Sequence, residues 1–130
     1  MSTQQHQIQD LRIDPDETIE VNVVAKSAHT MVCRLFVRAP GASGWEIIKG
    51  PSGQDVFDVP HSQRIGPCAE GSTVGHWIGI GGSPNTNFRA VATYSQSGKV
   101  VVEGLFLHTG RVSGDTPIGT ADRSGEGKLL

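Results

Sequence analysis

The chain has 130 residues, 36% of them apolar and 18% charged, with a formal charge of −2. That is the size of one ordinary domain, long enough for a single hydrophobic core without staples. The near-neutral balance, with seven Arg and four Lys scattered singly, lacks the basic footprint of a nucleic-acid binder and the pull toward an anionic membrane. Seventeen Gly and seven Pro are many for this length, and they supply the turns that a domain of short strands needs.

The first residues, Met1 to Asp10, carry neither a basic region nor an apolar run, so no signal peptide and a cytoplasmic location are expected. A virion component or a mature secreted form would look the same. No apolar stretch approaches the length of a membrane span. Residues 1–13 are Gln-rich and mixed in periodicity, and read as an N-terminal arm.

A turn is expected at Asp14-Pro15-Asp16-Glu17. Ile19, Val21, Val23 and Ala25 then alternate with more polar residues, as do Met31, Cys33, Leu35 and Val37. This period of two predicts two strands, and the short Ser27-Ala28-His29 link between them predicts an antiparallel hairpin. Short strands are expected at 45–49 and 56–59, the second stopped by Pro60. A long loop follows from His61 to Ser72.

Strands are next predicted from Thr73 to Ile80, through Phe88, Ala90, Ala92 and Tyr94, and from Val100 to Leu107. Ser95-Gln96-Ser97-Gly98 joins the last two as a hairpin. The apolar phase breaks at Gly104, which predicts a bulge there. Residues 111–130 are Gly-rich and polar, and read as a mobile C-terminal tail. The β domain therefore spans 14–110.

About seven to eight strands without an amphipathic helix predict an all-β antiparallel β-sandwich, jelly-roll or Ig-like, with a small β-barrel as the alternative. The Ig spacing is imperfect: Trp45 follows Cys33 by twelve residues, but Cys68 sits in the expected loop. Cys33 and Cys68 form no CxxC motif and read as reduced, buried thiols.

The chemistry-bearing residues do not cluster. His29, His61, His76 and His108 lie on different predicted elements with no HxH or HxxxH pair, so neither a metal site nor a catalytic base is expected. Asp14, Asp16 and Glu17 could offer carboxylates to calcium, but no EF-hand loop surrounds them and a solvated turn is the plainer reading. Gly79-Ile80-Gly81-Gly82-Ser83-Pro84 leads into a strand rather than a helix, which removes a phosphate-loop reading. No cofactor is expected.

Trp77 is the most informative residue. Its same-face neighbours on the strand are Gly75 and Gly79, which leaves the indole uncovered along the strand. Such a ring can stack on a sugar or other flat ligand, with His76 and Arg89 as candidate partners. The plainer alternative is that the glycines admit a neighbouring strand against a buried Trp.

Val32, Phe36, Trp77, Val91, Val101 and Leu105 fall opposite the residues assigned to the core, more apolar surface than a free face should carry. An arm, a loop or a second copy of the chain is expected to cover them. The function expected is thus a non-catalytic binding or assembly module that forms a homo-oligomer. The alternatives are a lectin-like carbohydrate or small-ligand binding protein using Trp77, and a small barrel or cupin-like enzyme.

Overall fold

The computed structural model describes residues 5–114 and 117–130. Ten strands follow one another: β1 (His6–Leu11), β2 (Ile19–Ala25), β3 (Thr30–Arg38), β4 (Glu46–Ile47), β5 (Phe57–Asp58), β6 (His61–Ile65), β7 (Thr73–Gly82), β8 (Asn87–Gln96), β9 (Lys99–Arg111) and β10 (Gly119–Leu129). No helix occurs among the described residues, and none is long and apolar enough to cross a membrane. The chain is all-β, in two sheets. The first runs β1-β10-β7-β3-β4, with β5 also on β3; the second runs β6-β2-β8-β9. The sheets do not close into a barrel, so the small-barrel alternative for the fold falls. The arrangement is consistent with a β-sandwich.

The core lies between the two inner faces. Met31, Cys33 and Leu35 of β3 and Val74, Ile78 and Ile80 of β7 face Ile19, Val21 and Val23 of β2 and Ala90, Ala92 and Tyr94 of β8. These are the period-two positions of the sequence, because successive side chains of a strand point to opposite faces. Both cysteines are buried and free. Burial pushes the Cys33 thiol up to about 11 and raises that of Cys68.

The structure departs from several of these expectations. The predicted β2–β3 hairpin does not form: β2 pairs with β6 and β8, whereas β3 pairs with β4, β5 and β7. Both strands carry an apolar inner face, and each covers the other's sheet instead of extending it. The start of the expected 61–72 loop is β6, whose exposed Ser62 and Arg64 hide the alternation.

The expected arm contains β1, and the expected tail contains β10, which lies between β1 and β7. Composition misled because β10 is floored with glycine. A Cβ at Gly125 would stand 2.7 Å from the His76 ring and 2.8 Å from Phe106, and one at Gly127 would collide with Leu11. The apolar mass over β10 comes from neighbouring strands.

The hairpin at Ser97-Gly98 forms with both residues at positive φ, 50° and 78°, as a tight turn between twisted strands requires. The bulge at Gly104 also forms. Thr93 pairs with Leu105 and Ser95 with Val100, so Tyr94 alone faces four residues of β9. A Cβ at Gly104 would lie 2.7 Å from the Tyr94 carbonyl oxygen. This step re-phases β9 and turns Phe106 and His108 inward.

The bulge and the sheet assignment also divide the supposed apolar face. Val32, Phe36 and Trp77 lie on the first sheet, Val91 and Leu105 on the second, and Val101 packs against the core.

Candidate functional site

Strand β7 decides the geometry. Val74, His76, Ile78 and Ile80 point inward, leaving Gly75, Trp77, Gly79 and Gly81 on the outer face. Register sets Trp77 between Arg34 of β3 and Ser124 of β10. The indole folds down over Gly79, where a Cβ would stand 2.6 Å from its Cη2. Its Nε1–H donates to Asp122 Oδ2 at 3.2 Å, and the Arg34 guanidinium lies 5.4 Å from the ring centroid. The ring is therefore pinned on three sides while remaining part of the surface.

A second tryptophan completes the face. Trp45, just before β4, reaches over Gly75, where a Cβ would lie 3.6 Å from its Cζ3. It meets Phe36 edge to face at 6.2 Å, and Arg38 stacks on it at 4.5 Å. Between the two tryptophans runs an open groove of about 330 Å³, lined by His6, Arg34, Trp45, Trp77, Ser124 and Glu126. His6 links its polar rim: Nδ1 bonds Ser124 Oγ at 2.7 Å and Nε2 lies 3.3 Å from Glu126. On the far side of Trp77 a wider trough of about 800 Å³ runs over Gly79 and Gly81, walled by Val32, Pro84 and Ile118.

Aromatic walls at the ends of a glycine floor suit a flat or CH-rich ring, and the rim offers hydrogen-bond partners for its polar edge.

His76 is one of the residues lining this groove, with its ring turned the other way. Its ring points into the core at 1% exposure. There Nδ1 bonds Tyr94 Oη at 2.7 Å and Nε2 meets His108 Nε2 at 2.8 Å. His108 Nδ1 in turn meets Gln7 Nε2 at 3.3 Å, and that Nε2 also donates to the Leu107 carbonyl at 2.7 Å. Burial lowers the His76 pKa well below 6.5, helped by His108 and His6. Burial, then Arg123 and His6, brings His108 down to about 4. Burial also raises the Tyr94 pKa. The chain of groups is neutral near pH 7.

Of the other expected residues, Arg89 is exposed on β8 in the second sheet, away from Trp77. His29 is bonded to Ser27 and Thr86 at 2.8 Å each. His61 stacks on Phe57 at 4.0 Å and bonds Gln63. Two of the four histidines thus converge, as a hydrogen-bonded pair. Among the described residues no three His, Cys, Asp or Glu side chains gather as metal ligands. Asp14 Oδ1 caps the Asp16 amide at 2.9 Å, and Glu17 accepts from Ser97 at 2.9 Å, so two of this turn's three carboxylates are used locally.

Sequence reasoning missed Trp45, His6, Ser124 and Glu126, because three lie in the presumed arm and tail and Trp45 precedes a two-residue strand. One signal was present: from 119 to 129 the even positions, Thr120, Asp122, Ser124, Glu126 and Lys128, are all polar while the odd ones are mostly small. That is the strand period, written in glycine instead of valine. No family model matches the chain, and no curated protein or solved structure matches it significantly.

Proposed function

We propose that this protein is a non-catalytic binding module whose ligand, a carbohydrate or a similar ring with polar edges, seats in the groove between Trp45 and Trp77. The observation that carries this reading is the pinned, outward indole of Trp77 on Gly79, faced across a glycine floor by Trp45. A tryptophan serving only the core would turn inward. This one is instead oriented on the surface by Asp122 and Arg34. Stacking on such a ring contributes about 0.5–1.5 kcal/mol beyond the area buried, enough for a weak site that several polar contacts would sharpen. A glycan array read alongside tryptophan fluorescence tests it. Saccharide binding is expected to be lost in Trp77→Ala and weakened in Trp45→Ala. Undiminished binding in Trp77→Ala, or no saccharide bound by the native chain, overturns the reading.

The two sheets support a β-sandwich on the jelly-roll side of the expectation. Consecutive long strands change sheet at every connection except β8–β9. An Ig constant-type sheet keeps its first two strands together, whereas β1 and β2 are in different sheets.

Self-association is a second reading, favoured by the second sheet. Leu107, Val91 and Val24 form one register row on its outer face, with Leu105 beside them at 56% exposure. A second copy packed on this row would remove each such side chain from water, a gain of roughly 1.5–3 kcal/mol per fully buried residue. Light scattering at micromolar concentration is expected to give a multiple of 13.8 kDa; a constant monomer mass removes the reading.

A further inference from the structure

The buried chain Tyr94–His76–His108–Gln7 has a direction. The Leu107 carbonyl can only accept, so the Gln7 atom 2.7 Å from it is the amide nitrogen. The second hydrogen of that nitrogen points to His108 Nδ1, which must be a bare acceptor. His108 therefore carries its proton on Nε2 and donates it to His76 Nε2. His76 then holds its proton on Nδ1 and donates to Tyr94 Oη. Each imidazole has one proton, and the lone pair of His76 is filled from within the core. The lone pair aimed at β1 is that of His108 Nδ1.

We propose that this contact is an acid-sensitive clasp: a proton taken up at His108 Nδ1 breaks the bond from Gln7 and undocks β1 from β10 and β9, while the rest of the two sheets stays folded. After protonation, N–H groups face each other across the Gln7–His108 contact. The Gln7 amide can turn its oxygen to the imidazolium, but the Leu107 carbonyl then loses its donor. Alternatively β1 leaves, and water serves both groups. Buried polar groups without partners are costly, which drives one change or the other.

Among the described residues, the groups that act on His108 include no compensating anion. Arg123 of β10 and His6 of β1 both oppose a positive His108. On the other strands facing the chain of groups, Tyr94 of β8 and Cys33 of β3 are neutral near pH 7, their pKa values raised by burial. Glu126 is engaged by His6 at 3.3 Å. That pair lies on the outer face and leaves the inner contact unrelieved.

Release is confined to β1 because one ladder and one fully buried side chain hold it, with His6 bonded to Ser124 and Glu126 on the outer face and Arg12 bridging Val102 beyond its end. It is an edge strand whose ladder is with β10 alone. Leu11 is its one fully buried apolar side chain, and Ile8 is 63% exposed. The β7–β10, β2–β8 and β8–β9 ladders do not run through it. Release of β1 carries His6 away from the groove's rim, so a ligand held by that rim would oppose it.

Amide hydrogen exchange, expressed as protection factors, tests it on the full chain. The reporters are the amides of Ser124 and Leu130, bonded to Gln5 O and Leu11 O, against that of Lys26, bonded to Arg89 O. Between about pH 7 and about pH 4.5 the reporters are expected to lose more than about tenfold protection while Lys26 and the β2–β8 ladder keep theirs. His108→Gln, neutral throughout, is expected to abolish the difference. Gln7→Glu, which offers the imidazolium an anionic acceptor from the partly exposed edge, is expected to move the loss to lower pH. It decides the matter should His108→Gln not fold. Unchanged protection at Ser124 and Leu130, equal loss in all ladders, or a Gln7→Glu profile like the native one overturns the clasp.

Discussion

His76 and Trp77 are consecutive on β7, yet they face opposite surroundings. His76 is sealed in the core and bonded at both nitrogens. Trp77 lies on the surface with its indole steered by Asp122 and Arg34. Each ring occupies room made by a glycine: Gly125 of β10 for His76, and Gly79 of β7 itself for Trp77. The two glycines therefore have opposite consequences. Filling the inner space squeezes a packed core that cannot yield. Filling the outer space displaces a ring that can swing into water.

Acidity strikes the inner side hardest. Both histidines have folded-state pKa values depressed below 6.5, His108 to about 4. The unfolded chain therefore takes up protons that the fold refuses. Stability is complete above about pH 6.5 and falls as pH drops toward 4. Each tenfold weakening of proton affinity corresponds to about 1.4 kcal/mol, so His108 alone accounts for a loss of the order of 3 kcal/mol, capped by whatever release of β1 relieves. Urea midpoints measured across this range are expected to fall, and in His108→Gln to fall less. A flat profile would mean that the pair is not neutral and buried as described.

Gly125→Ala comes next. The added methyl meets His76 Cε1 and Phe106 Cδ2 at 2.7 and 2.8 Å, and overpacking of this kind costs about 1–3 kcal/mol. A drop in thermal midpoint measures it. An unchanged midpoint would show that the inner layer has slack, and the contrast with Gly79 would disappear.

These two predictions rest on residues that the sequence presented unequally. The inner faces of β2, β3, β7 and β8 were legible because Val, Ile, Leu, Tyr and Phe recur at every second position, a pattern that only a strand satisfies. The bulge was legible because the apolar phase breaks at Gly104. Trp77 was ambiguous, because Gly75 and Gly79 beside it suit either an uncovered ring or a buried one approached by a neighbouring strand, and the structure leaves it half-buried on the outer face. Strand β10 was not legible, since its core side is Gly125 and Gly127 and the bulk that fills it comes from Leu11, His76 and Phe106. The meeting of His76 with His108 was hidden as well, because they stand 32 positions apart in the sequence and on different sheets. Pairing of β2 with β8 rather than β3 was a choice between two equally apolar partners, made by packing across the sheets and not by local pattern.

Tyr94→Phe probes the end of the inner chain. It removes the acceptor of His76 Nδ1–H without changing the ring, so the cost is that of one buried donor left unpaired, about 1–2 kcal/mol. The increment from Tyr94→Phe should shrink when it is made in His76→Leu, where the Nδ1–H donor is already gone, although that background itself leaves His108 Nε2–H without its acceptor. A double variant as weak as the sum of the singles would mean that the bond does not couple these residues.

The smallest effect on stability and the clearest effect on the surface are both expected from Gly79→Ala. The methyl would stand 2.6 Å from Trp77 Cη2 and 3.2 Å from Cζ2, so the indole must leave its seat. It has somewhere to go, because the face above it is open to both troughs. The bond from Nε1 to Asp122 and the stacking of Arg34 are surface contacts, each contributing well under about 1 kcal/mol when exposed. The thermal midpoint should therefore shift by no more than a surface substitution shifts it, within about 0.5 kcal/mol. Tryptophan emission should move to longer wavelength as the ring becomes wetter, and saccharide binding should weaken because the platform is no longer held flat. Asp122→Asn is the sharper companion, since its amide oxygen can still accept from Nε1 and should leave emission close to native. A Gly79→Ala variant as destabilised as Gly125→Ala would place Trp77 in the packed interior after all, and the contrast between the two faces of β7 would fail.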